Sequence, residues 1–252
     1  MKRPIVSFTT DFGDDFALAQ MKASVLMVNP LAKVVTISNN VTKFSILEGA
    51  FVLSHSYHLF PKGTIHIGVV DPGVGTKREG IVIKAKDYTF VGPNNGLFYQ
   101  SVAKSNVKVY RINENLVNPE HSNTFHGRDI FARLAGFLSK GANINSFVKP
   151  IGKDKLITMD FKPNQVLHID HYGNIKINRQ CDDLNIGDKL RVRIDGKDLI
   201  VPFFKTFGDI PVNHFLAYKG SHEILEIAKN LGSANADLKL QVGDIVQIGK
   251  IP

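Results

Sequence analysis

The sequence predicts a two-part protein: an α/β N-terminal domain with a mostly parallel sheet flanked by helices, then a smaller, mostly-β, barrel-like C-terminal domain. Before residue 150, short apolar runs alternate with amphipathic stretches in a β-α-β-α-β order, the pattern that builds a parallel sheet. Past Pro150 the texture changes to short alternating runs separated by turn residues, which reads as mostly strand.

The first strand is expected at 5–8, followed by a helix starting at Asp14 that carries Phe16, Leu18, Met21, Val25 and Leu26. A strand at 34–37, an amphipathic stretch with Ile46, Leu47, Ala50, Phe51 and Leu53, and a strand at 65–70 complete the alternation. Further strands are expected at 81–84, 88–91 and 107–112, and a helix over about 129–139 that Gly141 ends. In the second part the strands are 166–169, 190–194 and 199–201, the last two joined by an Asp195-Gly196 hairpin turn. A short helix over 223–230 and a last strand at 245–248 finish the chain. The polar, proline-containing stretch between Lys149 and Asn164 is the predicted boundary, dividing the chain into domains 1–155 and 164–252.

Composition narrows the function. The net charge is +8, from 31 Lys+Arg against 23 Asp+Glu, but the cations form no basic run and no aromatic-interleaved RNA motif, which argues against a nucleic-acid partner. No apolar run approaches the roughly 20 residues that span a bilayer, so no membrane association is expected. Lys2 and Arg3 resemble the start of a signal peptide, but Ser7, Thr9, Thr10 and Asp11 break the apolar stretch behind them, so a cytoplasmic protein is expected. The single cysteine, Cys181, excludes an internal disulfide framework and a thiolate metal site, and suits a reducing compartment.

Three loops stand where strands end: Thr10-Asp11-Phe12-Gly13, Val69-Val70-Asp71-Pro72-Gly73-Val74-Gly75 and Gly92-Pro93-Asn94-Asn95-Gly96. In open α/β sheets the carboxyl ends of strands line the ligand crevice, so a carboxylate or amide among small residues there suggests a site. The same residue types are common turn formers, and spacing alone leaves both readings open. In Asn123-Thr124-Phe125-His126-Gly127-Arg128-Asp129, before a predicted helix, Asp129 suits the helix's positive end and can pair with Arg128. His126 is either a ligand-facing imidazole or a buried, satisfied one.

The strings TDFG, VVDPGVGT followed by Arg78, VGPNNGL and TFHGRDIF, with Asp170-His171-Tyr172-Gly173-Asn174 later, occur in that order over nearly the whole chain. Together they resemble the S-adenosylmethionine hydroxide adenosyltransferase family, relatives of the fluorinases and chlorinases. The resemblance implies hydrolysis of S-adenosylmethionine to adenosine and methionine by water, with an Asp-Arg-His constellation falling on Asp71, Arg78 and His126. It implies that Asp11 takes the ribose hydroxyls, that Asp170 receives the ammonium of the methionine part, and that Ser221 meets its carboxylate. Tyr172 and Phe207 are candidate walls for adenine, and Asn94 and Asn174 further substrate contacts. S-adenosylmethionine is substrate, with no cofactor and no metal expected. The resemblance also implies a homotrimer with the site at the subunit interface, between the first domain of one subunit and the second domain of its neighbour.

The chain departs from the family at several points. Ser38-Asn39 stands where relatives often place a histidine, Arg133-Leu134 replaces Ala-Pro, Tyr172 replaces Phe, and Gly220 and His222 flank Ser221 in place of an Asn-Ser pair. Halogenating relatives lose the acid and the arginine of the Asp-Pro-Gly loop, and this chain keeps both. Three other readings are a non-catalytic adenosine or S-adenosylmethionine sensor, a halogenase, and a metal-dependent hydrolase using Asp11, Asp71 and His126, whose donors lack a compact ligand spacing.

Overall fold

In the computed structural model, residues 3–251 are described, and contacts divide the chain into two compact units, Met1–Met159 and Asp160–Pro252. Among the described residues the first unit holds a seven-stranded sheet of β1 (Ile5–Thr10), β2 (Lys33–Ser38), β3 (Ile65–Val69), β4 (Gly80–Lys84), β5 (Thr89–Pro93), β6 (Lys108–Ile112) and β7 (Val148–Ile151). Their spatial order is β2-β1-β3-β5-β4-β6-β7; the first four run parallel to one another, and the rest pair antiparallel.

The helices cover both faces, because the strands are apolar on both sides. On β4, Val82 joins one core cluster while Ile81 and Ile83 join the other, as a period of two requires. The first cluster is closed by α1 (Ala17–Val28), through Leu18, Met21 and Val25, and by α5 (Arg133–Ser139), through Leu134. The second is closed by α2 (Ile46–Ser56) and the short α3 (Tyr99–Val102). A further one-turn helix, α4 (Glu114–Val117), follows β6. Helix α1 begins at Ala17, not Asp14, after a local turn in which Asp15 Oδ1 accepts from the Ala17 amide at 3.0 Å. Within the sheet Ser7 pairs with His66, and their side chains bond at 2.7 Å between Ser7 Oγ and His66 Nδ1. Tyr57, Phe60, Tyr88 and Phe90 surround that imidazole, and burial lowers its pKa to about 4.

The named strands of the second unit pair antiparallel, with an isolated parallel bridge between Phe203 and Ala217. One sheet has the order β11-β10-β14, from β10 (Lys189–Ile194), β11 (Lys197–Pro202) and β14 (Gln247–Lys250). The other is β12-β13-β9-β8, from β8 (Val166–Ile169), β9 (Ile175–Gln180), β12 (Phe215–Lys219) and β13 (Ile224–Lys229). Their inner residues form one core. Asp195 and Gly196 make the two-residue turn between β10 and β11 with positive φ at both positions, as expected.

The helix expected over 223–230 is instead strand β13. Both edges of that segment are taken, by β12 and by β9, so ladder hydrogen bonds and burial of Leu225 and Ile227 override local propensity. A one-turn helix, α6 (Ala234–Leu238), follows it under a Ser233 cap, and the last strand lies two residues later than expected. No helix among the described residues is long and apolar enough to cross a membrane.

Candidate active site

The carboxyl ends of β1 and β3 carry Asp11 and Asp71 side by side, because these strands are parallel neighbours in register. Asp11 Oδ2 accepts from the Phe44 amide at 2.8 Å. Asn39, one of the departures from the family, holds this loop: it accepts from the Thr10 hydroxyl, donates to the Gly13 carbonyl, and receives the Gly13 amide on its own backbone oxygen at 2.7 Å.

The Asp71 loop returns through Gly75, whose φ of +75° and position 2.5 Å from the Asn123 carbonyl (for an added Cβ) admit only glycine. This turn delivers Arg78 back onto Asp71. The pairing is bidentate, Nε to Oδ1 at 3.1 Å and Nη2 to Oδ2 at 2.6 Å, with the two side chains only 8% and 5% exposed. Phe131 lies under the guanidinium, its ring centre 5.4 Å away. Arg78 Nη2 also reaches His126 Nδ1 at 3.3 Å. His126 is placed by the π-type turn Gly127–Ala132 that leads into α5, a helix distortion often found at working sites.

The structure therefore brings Asp71, Arg78 and His126 into one buried group. Burial pushes the Asp71 carboxyl above its ordinary range against the opposing pull of Arg78. Burial also lowers the His126 pKa, so the imidazole is neutral at pH 7. Neutral, the ring carries its one hydrogen either on Nδ1, which faces both Arg78 and the Glu114 carboxylate 3.6 Å away, or on Nε2. His126 Nε2 and Arg78 Nη1 are buried without a hydrogen-bond partner among the described residues.

Asp11, Asp71 and His126 line one cavity of ≈ 360 Å³ with Phe12, Phe44 and Phe125, a volume suited to a small ligand. Asn94 lies outside it: Nδ2 donates to the Lys155 carbonyl and Oδ1 accepts from the Ile157 amide, so this amide ties down the end of the first unit. Arg128 and Asp129 pair with each other at 2.6 Å, away from the imidazole's partners.

In the second unit Asp170, Tyr172, Asn174, Phe207 and Ser221 all line a single cavity of ≈ 860 Å³. Asp170 Oδ1 accepts from the Tyr172 and Asn174 amides and Oδ2 from Asn174 Nδ2, each at 3.0 Å, so the carboxylate shapes its own loop. Tyr172 is 75% exposed, its ring open to a stacking partner.

The same cavity contains residues that the sequence reading missed. Lys176 Nζ pairs with Glu226 Oε2 at 2.8 Å and stands 3.8 Å from Asp170, and Tyr218 donates its hydroxyl to Glu226 at 2.7 Å. Tyr218, Glu226 and Lys176 are directly opposite one another on β12, β13 and β9. The available signal was a charge embedded in an apolar strand, Ile175-Lys176-Ile177 and Leu225-Glu226-Ile227, which a buried position tolerates only when paired.

The donors Glu114, His121 and His126 lie within 4.8 Å of one another, a grouping with the chemistry to hold a metal, whereas Asp11 and Asp71 take no part in it. Glu114 Oε1 is 3.6 Å from His126 Nδ1, and Glu114 Oε2 is 3.7 Å from His121 Nε2.

Sequence comparison decides the family. Residues 6–148 match the SAM hydroxide adenosyltransferase N-terminal domain, and residues 164–247 match its C-terminal domain. The chain belongs to the SAM hydroxide adenosyltransferase family. It is 33% identical to the (R)-S-adenosyl-L-methionine hydrolase of Methanocaldococcus jannaschii, over 97% of this chain and 95% of that protein. To a fluorinase of Nocardia brasiliensis the identity is 26%, over 98% and 97%. The crystal structure of an uncharacterized conserved protein from Thermotoga maritima superposes with a TM-score of 0.89 at 30% identity, covering 97% of this chain and all of that one. Both adenosyltransferase domains thus coincide with the two units, and the Asp-Arg-His group lies in the first of them.

Proposed function

We propose that this chain hydrolyses S-adenosyl-L-methionine to adenosine and L-methionine, with water attacking the 5′ carbon in line with the departing sulfur. The observation that carries the reading is the buried Asp71–Arg78–His126 group, whose Asp71 and His126 share a cavity wall with Asp11, in a chain whose relatives include named S-adenosylmethionine hydrolases. A sulfonium leaves as a neutral thioether, so the carbon is already electrophilic and the chemistry needs no covalent intermediate, metal or cofactor. The missing element is a competent nucleophile.

Asp71 and the neutral His126 accept hydrogen bonds from the water, and His126 takes its proton. The fixed charge of Arg78, held bidentate, favours hydroxide over water at the same point. Asp11 receives the ribose hydroxyls. In the second unit Tyr172 and Phe207 supply aromatic faces, and Asn174, Asp170 and Ser221 supply polar groups, for the adenine and methionine parts.

The same reading makes the protein a cytoplasmic homotrimer in which the first unit of one subunit works with the second unit of its neighbour. The division of the binding residues between two cavities, one on each unit, supports it. Mixing Asp71→Asn and Asp170→Asn proteins then restores activity that neither has alone.

The deciding experiment incubates purified protein with S-adenosylmethionine, with and without chloride and with and without a chelator, and chromatographs the nucleosides. Adenosine and methionine are expected in equal amounts, with no chloro-nucleoside and no effect of the chelator. Tight adenosine binding without methionine release makes the protein a sensor, a chloro-nucleoside makes it a halogenase, and chelator-sensitive turnover makes it a metal enzyme; each ends the present reading.

A further inference from the structure

Hydrolysis of a sulfonium by water leaves one proton over. The oxygen goes to carbon, the carbon–sulfur electron pair stays on the thioether, and one O–H proton has no place among the neutral products. His126, which receives it, is only 5% exposed, and a bound nucleoside would close the ≈ 360 Å³ cavity that it lines. The proton therefore needs another way out before the next turnover.

Around His126 Nδ1 the structure gathers a donor and an acceptor at once, Arg78 Nη2 at 3.3 Å and Glu114 Oε1 at 3.6 Å. In the neutral tautomer with its hydrogen on Nδ1, the ring presents that hydrogen to Glu114 and keeps the Nε2 lone pair for the water. The other oxygen of Glu114 lies 3.7 Å from His121 Nε2, and His121 Nδ1 donates to the Asn118 carbonyl at 2.8 Å, which leaves Nε2 as the acceptor in the neutral ring. Glu114 and His121, together with Arg78, line a second cavity of ≈ 470 Å³ whose wall excludes Asp71 and Asp11. The Glu114 side chain is 27% exposed. Arg78 and His126 thus stand between a ligand-sized cavity and a solvated one.

We propose that Glu114 and His121 form a proton exit, carrying the proton of the attacking water from His126 to the second cavity; the proposal rests on the hydrolytic reading above. Starting from the tautomer with its hydrogen on Nδ1, His126 Nε2 takes the proton as the carbon–oxygen bond forms and the carbon–sulfur bond breaks. Nδ1–H passes to Glu114 Oε1, Glu114 hands a proton to His121 or to solvent and returns to its carboxylate, and once product leaves the ring's hydrogen moves from Nε2 back to Nδ1 by exchange with water, so one proton is released per turnover. The 3.6 Å contact is an ion-pair distance that closes to a hydrogen bond when the imidazole becomes charged. The charged and titratable groups facing His126 are Glu114, Arg78, His121 and Asp71, and Asp129 acts on His121. A divalent metal on the same three donors is disfavoured, because the Arg78 guanidinium already occupies the vicinity of Nδ1.

The test is Glu114→Gln, which preserves shape and removes the acceptor charge. We expect kcat to fall on the order of 10-fold, below the full effect of a direct acid–base group, with KM within about twofold. The acid limb of the kcat profile should move to lower pH, since the carboxylate that raises the His126 pKa is gone, and small imidazole buffers should restore the rate. Without any substrate, the NMR titration midpoint of His126 should also move down. A parent-like kcat and pH profile overturns the proposal, as does an unchanged midpoint, or a kcat loss that tracks a lowered Tm and ignores buffer. If the parent protein forms no adenosine at all, the hydrolytic reading fails instead, while the midpoint still judges the Glu114 pairing.

Discussion

Arg78→Ala is the most direct challenge to the proposed chemistry. It removes two charge-assisted hydrogen bonds, at 3.1 and 2.6 Å, from a carboxylate whose side chain is only 5% exposed, and it removes the donor to His126. Breaking a buried pair by deleting one partner costs roughly 3–5 kcal/mol in folding stability, because the remaining charge stays desolvated. Burial already raises the pKa of Asp71 and Arg78 is the chief force lowering it, so the variant shifts the Asp71 carboxyl further up and weakens it as an acceptor beside the water. Losing one preorganised charge partner costs about 3 kcal/mol in the transition state, so kcat should fall at least about 100-fold. Arg78→Lys should recover only part of this, since an ammonium cannot form the fork. The assay is adenosine formation by chromatography at saturating substrate, alongside Tm. A folded Arg78→Ala protein that keeps kcat within about threefold of the parent removes the guanidinium from the mechanism.

Three further outcomes follow from the geometry. Asp11→Asn keeps one oxygen for the Phe44 amide but loses the charge offered to the ribose, so adenosine binding by calorimetry should weaken by about 10-fold or more while Tm changes little. Gly75→Ala forces a side chain into a φ of +75° against the Asn123 carbonyl, so it should displace the turn that delivers Arg78 and lower kcat more than it lowers Tm. His66, wholly buried, has a folded pKa of about 4 against about 6.5 unfolded, so the unfolded chain binds more protons between those values. The His66 contribution to stability in urea is then constant above pH 6.5, falls by roughly 3 kcal/mol as pH drops through the window, and levels off below it; His66→Gln should flatten that part of the curve.

Much of the fold was legible because it rests on local periodicity. The first six strands of the first unit show as short apolar runs, whereas β7 overlaps the polar stretch read as the domain boundary; the Asp195-Gly196 turn is written in residue types that tolerate positive φ. Strand β13 was not legible, since Ile224 to Lys229 has no helix-breaking residue and becomes a strand only because β12 and β9 hydrogen-bond to both of its edges. The candidate site was legible as motifs and not as an arrangement. Asp71 and Arg78 lie close in sequence, but their bidentate contact depends on the Gly75 turn, and Glu114 approaches His126 only through the return of the chain after β6.

By itself the sequence determined the two-part α/β and β architecture, the absence of a long apolar span, and the peptide motifs that lead to the adenosyltransferase family, because these depend on neighbours along the chain. Only the tertiary structure decided which charges meet. It pairs Lys176 with Glu226 across two strands, commits Asn94 to the backbone at 155–157, and sets His126 between Arg78 and Glu114. The physical reason is that electrostatic contacts and desolvation act through distances of a few ångströms in space, and strand pairing and loop return bring together residues that the linear order keeps far apart.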